Sequence, residues 1–321
     1  MLRATWLGAL WQQALPRAAL VARIARHGPG GLACVPFFSG RVGLAAVAAL
    51  PCWRRRIALL PSYLCNVVPL AFERHGFAVH GYPVDDRFEP DNAWLAMRAG
   101  ELKVDILLLA PLYGADGGLS WWLGPEGRAT RRELGLTLVL DLCQDAGRLA
   151  GLPDPGPDCV VLTSFNDKAF PGAMGAALWT DLPVAIPSAP GLRAAALLNA
   201  WVLRRLFRPR RPQEGTGFEF SQASRFPYGF EPAGPTGLQL ALGAIGLERL
   251  PRWQARRRAA LARGDVRAQA LPHAAAAPFV VAGPGDAGLH RAKRPYARAD
   301  DASASLRPGL VVRHNKGFED R

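Results

Sequence analysis

Short apolar runs recur along the chain, and most are followed by a stretch with helical spacing. "LACVPFFSG" (32–40) reads as a strand ending in Ser-Gly, and "RVGLAAVAALP" (41–51) as a helix closed by Pro51. A strand over 57–60 then passes through a Pro-Ser turn into a helix that runs to Gly76. "FAVHGYPVD" is a further strand and "DNAWLAMRAG" a short helix. "VDILLLAPLYG" (104–114) lacks polar alternation, the pattern of a parallel strand buried on both faces. "EGRATRRELG" is helical, "LTLVLDLCQDAG" (136–147) is strand then loop, and "DCVVLTSF" (158–165) is strand again. Alternation of this kind over about 130 residues predicts an α/β domain with a mostly parallel sheet flanked by helices.

The flanks differ. Residues 1–27 have the spacing of two short amphipathic helices broken at Pro16, followed by a "GPGG" turn. "GLRAAALLNAWVLRRLFRPRRP" (191–212) is an apolar helical pattern with an arginine-rich end. That end suits a helix C-terminus, and it equally suits a membrane-surface contact through 191–212. "TGLQLALGAIGLERLPRWQARRRAALAR" (236–263) predicts a long helix bent at Pro251, and "APFVVAG" a late strand. The last 35 or so residues have little periodicity, which predicts little order. The division expected is an N-terminal helical segment (1–29), a large α/β domain (30–215), and a linking helix with a reduced C-terminal domain (216–321).

Composition narrows this picture only slightly. The 321 residues carry a net charge of +13 with a pI near 10.4, supplied mostly by arginine. Such a charge attracts phosphorylated substrates or anionic lipid, and no nucleic-acid-binding motif accompanies it. The five cysteines show no CxxC pair, as in a reducing, cytoplasmic setting. No apolar stretch reaches the roughly 18–20 residues of a membrane span. The histidines have no metal-ligand spacing, and neither a G-x-S-x-G elbow nor a Walker loop occurs. Trp121-Trp122 fits core or interface packing better than a pocket lining.

Polar residues gather at the carboxyl ends of the expected strands: Ser39, Ser62, Tyr113, Asp141, Gln144 and Ser164. That edge is where open α/β sheets hold ligands. Lysine is rare (Lys103, Lys168, Lys293 and Lys316), and Lys168 stands just past the strand ending in Ser164. A lysine there is either a solvated charge or a nucleophile. Asp141 ends a strand where a lone carboxylate is costly to bury. Ser39-Gly40 directly precedes a helix, a ready anion site. A lysine amine, a carboxylate for a ring nitrogen, and hydroxyls with a helix start for a phosphate make up the set that pyridoxal 5'-phosphate (PLP) requires.

The order of segments resembles the DegT/DnrJ/EryC1/StrS family of PLP-dependent sugar aminotransferases, over roughly residues 30–265. "FFSGRVGLAAVAAL" is similar to the family's S-G-T-x-A-L helix start. "LLPSYLCNVVPLAFERHGFAVHGYPVD", "APLYG", "RELGLTLVLDLCQDAG", "CVVLTSFNDKAFPGAMGAALWTD" and "LQLALGAIGLERLPRWQARRRAAL" match its later segments in the same order. The resemblance implies a fold-type-I PLP-transferase with a shortened C-terminal small domain, acting as a homodimer. It implies Lys168 as the Schiff-base lysine, Asp141 at the pyridine nitrogen, and Gln144 on the ring-hydroxyl side. Ser164 and the backbone of Gly40, Arg41 and Val42 would hold the phosphate. The ring-stacking position falls at Cys65, with Tyr63 the nearest aromatic. The implied reaction is amino transfer from an amino acid to a keto-sugar, often nucleotide-linked, in polysaccharide or secondary-metabolite synthesis. The chain departs from the family in several places. Lys168 is four residues after Ser164 where the family has five, Arg41 stands at the Thr of S-G-T, "GAMGA" (172–176) replaces a Gly-Glu-Gly-Gly stretch, "EPAGPT" (231–236) replaces an Asn-x-Arg segment, and the short C-terminal domain keeps little of the family pattern beyond "APFVVAG". These departures keep a second reading open, a homologue that has the fold and serves as a binding or regulatory protein. A PLP enzyme with other chemistry is a third, which the presence of Lys168 disfavours.

Overall fold

In a computed structural model the residues described are 2–62, 64–65, 67–85, 88–112, 115–165, 175–185, 233–262, 269–270, 280–282 and 311–313. In chain order the elements up to the main sheet's last strand are α1 (Leu2–Gln12), α2 (Arg17–Ala25), β1 (Ala33–Phe37), α3 (Gly40–Ala48), β2 (Ile57–Pro61), α4 (Val67–Glu73), β3 (Ala78–Tyr82), α5 (Asn92–Leu102), β4 (Ile106–Leu109), α6 (Leu119–Leu123), α7 (Pro125–Leu134), β5 (Thr137–Asp141), a 3₁₀ turn (Ala146–Gly151), β6 (Cys159–Ser164) and β7 (Ala176–Thr180). A long helix, α8 (Gly237–Ala262), follows, and then three short strands, β8 (Gln269–Ala270), β9 (Val280–Ala282) and β10 (Val311–Arg313).

β1 to β7 form one sheet in the order β1-β7-β6-β5-β4-β2-β3. β3, β2, β4, β5 and β6 are mutually parallel, and β7 pairs antiparallel with both β6 and β1. One strand therefore runs against the other six, and six carboxyl ends share one edge. The parallel strands are apolar on both faces. Ile106 and Leu108 of β4 join one buried cluster with α3 and α4, whereas Leu107 and Leu109 join the other with α5, α6 and α8. That two-sided burial is why 104–114 shows no alternation, although only its middle is strand. Residues 110–112, which follow β4, carry no regular secondary structure.

Two elements escaped the pattern of the sequence. β7 is the reversed strand and reads as a continuation of the segment before it. α6 is a short helix that places Trp122 in the core, with Trp121 edge-on to it at 4.8 Å between ring centroids. The first 27 residues do form two helices with Pro16 as the N-cap of the second. α1, however, is not amphipathic, because apolar side chains occupy its outer face as well as its inner one.

α1 and α2 pack on α8. Arg23 forks onto the Glu248 carboxylate at 2.8 and 2.6 Å, and the turn after α2 abuts Trp179. Gly28 is needed in that turn, since a Cβ there would fall 2.0 Å from Trp179 Nε1. α8 opens with a capping box: Thr236 Oγ1 accepts from Gln239 N while Gln239 Oε1 accepts from Thr236 N. Gln239 Nε2 then donates to Phe38 O at 3.1 Å, which ties the helix start to the end of β1. α8 continues through Pro251 as one helix. The expected helix over 191–212 lies outside the described residues, and β9 falls within the late strand expected at "APFVVAG". No helix among the described residues is long and apolar enough to cross a membrane.

Candidate active site

β1 ends at Phe37, and Ser39 caps α3 in an extended conformation (φ −158°, ψ 163°). Its hydroxyl makes no capping bond, and the buried Oγ has no hydrogen-bond partner. A buried hydroxyl in that state lacks a bond worth having at a helix start whose own N–H groups favour an anion. Gly40, Arg41 and Val42 form the first turn. Val42 is packed in the core, so only its backbone is available to the sheet edge. Arg41 is half-buried; desolvation pushes its guanidinium pKa down, and the nearby Cys65 thiol partly offsets this. The positive end of α3 therefore carries a second positive group where the family has a neutral threonine.

Asp141 is the last residue of β5 and is buried. Its Oδ1 accepts from the backbone N of Cys143 at 3.0 Å, which folds the chain into a tight turn beyond the strand. Gln144 is buried in that turn, and its Oε1 has no hydrogen-bond partner. The turn meets the start of α3 directly: a Cβ on Gly40 would lie 3.5 Å from Cys143 Sγ and 3.8 Å from Leu162 Cδ2. The Asp141–Gln144 turn and the Ser39–Val42 helix start, a hundred residues apart in sequence, are thus neighbours.

Ser164 ends β6. Sheet register aligns it with Ala176 of β7 and, through that strand, with Phe37 of β1. Its Oγ is 3.5 Å from Gly175 O, a long contact. Beyond it, Phe165 N donates to Gly175 O at 2.8 Å and Gly175 N donates to Phe38 O at 2.7 Å. Residues 166–174, with Lys168, lie outside the described residues; the residues on either side of them, Phe165 and Gly175, are bonded at this edge. On the other side, Cys65 sits half-buried in the turn between β2 and α4, and Ser62 is buried at the end of β2. Tyr63 and Tyr113 lie outside the described residues.

The described candidates Ser39, Gly40, Arg41, Val42, Ser62, Cys65, Asp141, Gln144 and Ser164 all fall on the carboxyl edge. What the sequence did not single out is the support beneath them. Asp145 is fully buried; Arg148 Nε donates to its Oδ2 at 2.6 Å, while its Oδ1 has no hydrogen-bond partner. Arg148 also donates to Asp116 Oδ1 at 3.1 Å and Ala115 O at 2.7 Å, and the Asp116 backbone N donates to Glu89 Oε1 at 2.6 Å. This network ties the loop after β4 to the turn that carries Gln144. Burial raises the pKa of both Asp145 and Glu89, opposed at Asp145 by Arg148 and at Glu89 by the backbone N–H groups it accepts from. A charged residue inside the apolar run around Gln144 was the one available signal.

The donor set can hold an anion on hydroxyl, backbone N–H and guanidinium groups at α3, with a carboxylate and an amide at the next strands. No protein-family profile matches the sequence, and no curated protein matches it. Solved structures do. The 3-amino-5-hydroxybenzoic acid synthase structure superposes with a TM-score of 0.58 at 15% identity, covering 99% of this chain and 91% of that one. A DegT DnrJ EryC1 StrS aminotransferase from Brucella abortus gives 0.52 at 15% identity, over 88% and 74%. DesV from S. venezuelae gives 0.51 at 20% identity over 77% of this chain, which spans only 60% of DesV. With its single reversed strand, the chain has the fold of the DegT/DnrJ/EryC1/StrS aminotransferases, that of fold-type-I PLP enzymes.

Proposed function

We propose that the protein is a PLP-dependent aminotransferase that transfers an amino group from an amino acid to a keto-sugar, nucleotide-linked, as a homodimer. The observation that supports this most is the pair of buried polar atoms without partners, Ser39 Oγ and Gln144 Oε1, on either side of the junction between the α3 start and the Asp141 turn. A phosphorylated, protonatable heterocycle would satisfy both, so the residues fit the cofactor. PLP, when bound, supplies a carbonyl that accepts amines and a ring that takes up electrons from the substrate carbon.

The chain's own groups have distinct tasks in this reading. Asp141 holds the ring nitrogen protonated; its turn with Cys143 fixes the carboxylate in place before any ligand arrives. Gln144, carried by the same turn, would contact the ring-hydroxyl side of the cofactor. Ser39, Ser164, Arg41 and the first-turn N–H groups of α3 hold the phosphate, with Arg41 replacing a hydroxyl contact by a charge. Lys168 is the covalent anchor and carries the proton to and from the substrate carbon. The bonds that hold Phe165 and Gly175 at the carboxyl edge support this role. Cys65 or Tyr63 would lie against the ring face.

Addition of PLP to the purified chain should produce a visible absorption band that borohydride abolishes, and Lys168→Ala should lack it. A wild-type spectrum identical to that of the variant would refute the enzyme reading. A normal band without amino transfer to any keto-sugar nucleotide would favour the binding-protein alternative.

A further inference from the structure

Between Leu7 and Trp11, α1 is apolar on both its inner and its outer side. Its inner side packs on α8, with Ala9 fully buried and the Gly8 Cβ position 3.8 Å from Ile245 Cδ1. Its outer side presents Leu7, Leu10 and Trp11, exposed by 59%, 45% and 83%, and Leu15 beyond the helix end adds a fourth at 44%. Among the described residues Met97 is the one other large apolar side chain so exposed. Leu7, Leu10 and Trp11 have i, i+3, i+4 spacing and form one stripe. A helix apolar on all sides at a surface requires something over its outer face.

The surrounding charge selects the cover. Residues 1–27 contain Arg3, Arg17, Arg23 and Arg26 and no Asp or Glu. Arg3 precedes the stripe in sequence, and Arg17 is exposed two residues after Leu15. Arg17 also donates to Pro235 O, which leaves its charge uncompensated by a carboxylate there. Among the described residues, the acid that pairs with this region is Glu248 of α8, which holds Arg23 and lies 3.8 Å from Arg26. A second copy docked on the stripe about a two-fold axis would bring these arginines against their own mates. A nucleic acid would leave the leucines and tryptophan uncovered. An anionic bilayer surface accepts both components, since aromatic and aliphatic side chains enter the headgroup boundary while arginines meet lipid phosphates.

We propose that the outer face of α1 and the turn after it form a membrane-surface contact that seats on anionic phospholipid. The carboxyl-edge site belongs to other segments, so this proposal does not depend on the reaction assigned above. Neither component alone holds a protein on a membrane firmly; the apolar stripe and the arginines act together.

The full chain is co-sedimented with phosphatidylcholine vesicles, and with vesicles containing added phosphatidylglycerol, at low and high salt. Binding is expected to the second kind only, and to weaken with salt. The double variant Leu10→Ser/Trp11→Ser should bind them about tenfold more weakly or worse, with an unchanged urea-unfolding midpoint because both side chains are exposed. Absence of wild-type binding would overturn the proposal. So would undiminished binding of the double variant, which would move the contact to the arginine-rich segment at 204–211. Conversion of a dimer to a monomer by the double variant, with vesicle binding intact, would assign the stripe to a second copy instead.

Discussion

Two aspartates at opposite ends of the sheet are equally buried, each 8% exposed, and serve opposite ends. Asp105 precedes β4 at the amino edge. Its carboxylate accepts from three consecutive backbone N–H groups, those of Arg54, Arg55 and Arg56, at 3.3, 2.9 and 2.5 Å. Asp141 ends β5 at the carboxyl edge and accepts from Cys143 N alone among the bonds described. Around Asp105 the polar groups close on one another. Around Asp141 they stay open, with Ser39 Oγ and Gln144 Oε1 buried and lacking partners. A buried carboxylate that is fully satisfied belongs to the scaffold, whereas one in a partly satisfied set is prepared for something that is not protein.

Alanine at each position tests this contrast with two readouts. Asp141→Ala should reduce amino transfer at least about a hundredfold, since a pre-oriented charge at the reacting ring is lost, and should cost only about 1 kcal/mol in urea unfolding, because one backbone donor loses its acceptor. Asp105→Ala should leave PLP absorbance intact and cost about 2–4 kcal/mol in urea unfolding, because three backbone donors lose their acceptor together. If the two effects were exchanged, the amino edge would be the functional one.

Gln144→Leu gives a smaller effect of the same kind. It removes a buried amide oxygen without a partner, so stability should hold or rise slightly. PLP affinity, read by titrating the absorption band, should fall about tenfold for one lost hydrogen bond to the ring. This residue also marks how far the sequence could be read. The placement of Asp141, Gln144, Ser164 and the Ser39-Gly40 helix start at the carboxyl edge was legible there, because each follows an apolar run of strand length. The parallel strands were visible for the same reason. β7 was not, since its reversed direction is set by pairing Ala176 with both Phe37 and Ser164, a relation that no local pattern contains. The outer face of α1 was also hidden: Leu7, Leu10 and Trp11 have the spacing of a core-facing stripe, and α8 happens to lie against the other side. The Arg148 network was hidden because it joins residues about thirty positions apart in sequence through one guanidinium.

Asp145 lies between the two extremes, with one oxygen held by Arg148 and the other without a partner, and it gives the smallest effect. Burial raises its pKa and Arg148 opposes this without cancelling it. The folded state thus holds its proton more tightly than the unfolded state. Its contribution to stability is therefore greatest below the ordinary aspartate value near 3.9, and is lost as pH rises through the folded-state value. Glu89, on the other side of Asp116, is shifted in the same direction and gives the whole protein a slope of the same sign, so the informative quantity is the difference between wild type and Asp145→Asn. The amide keeps an acceptor for Arg148 and has no charge to desolvate. Relative to wild type the variant should gain stability between about pH 4 and pH 7, by no more than about 1 kcal/mol, in urea unfolding at the two values. A variant that instead loses ground as pH rises would mean that the Arg148 ion pair outweighs burial. Asp145 would then be a scaffold carboxylate like Asp105, and the open set at the carboxyl edge would end at Gln144.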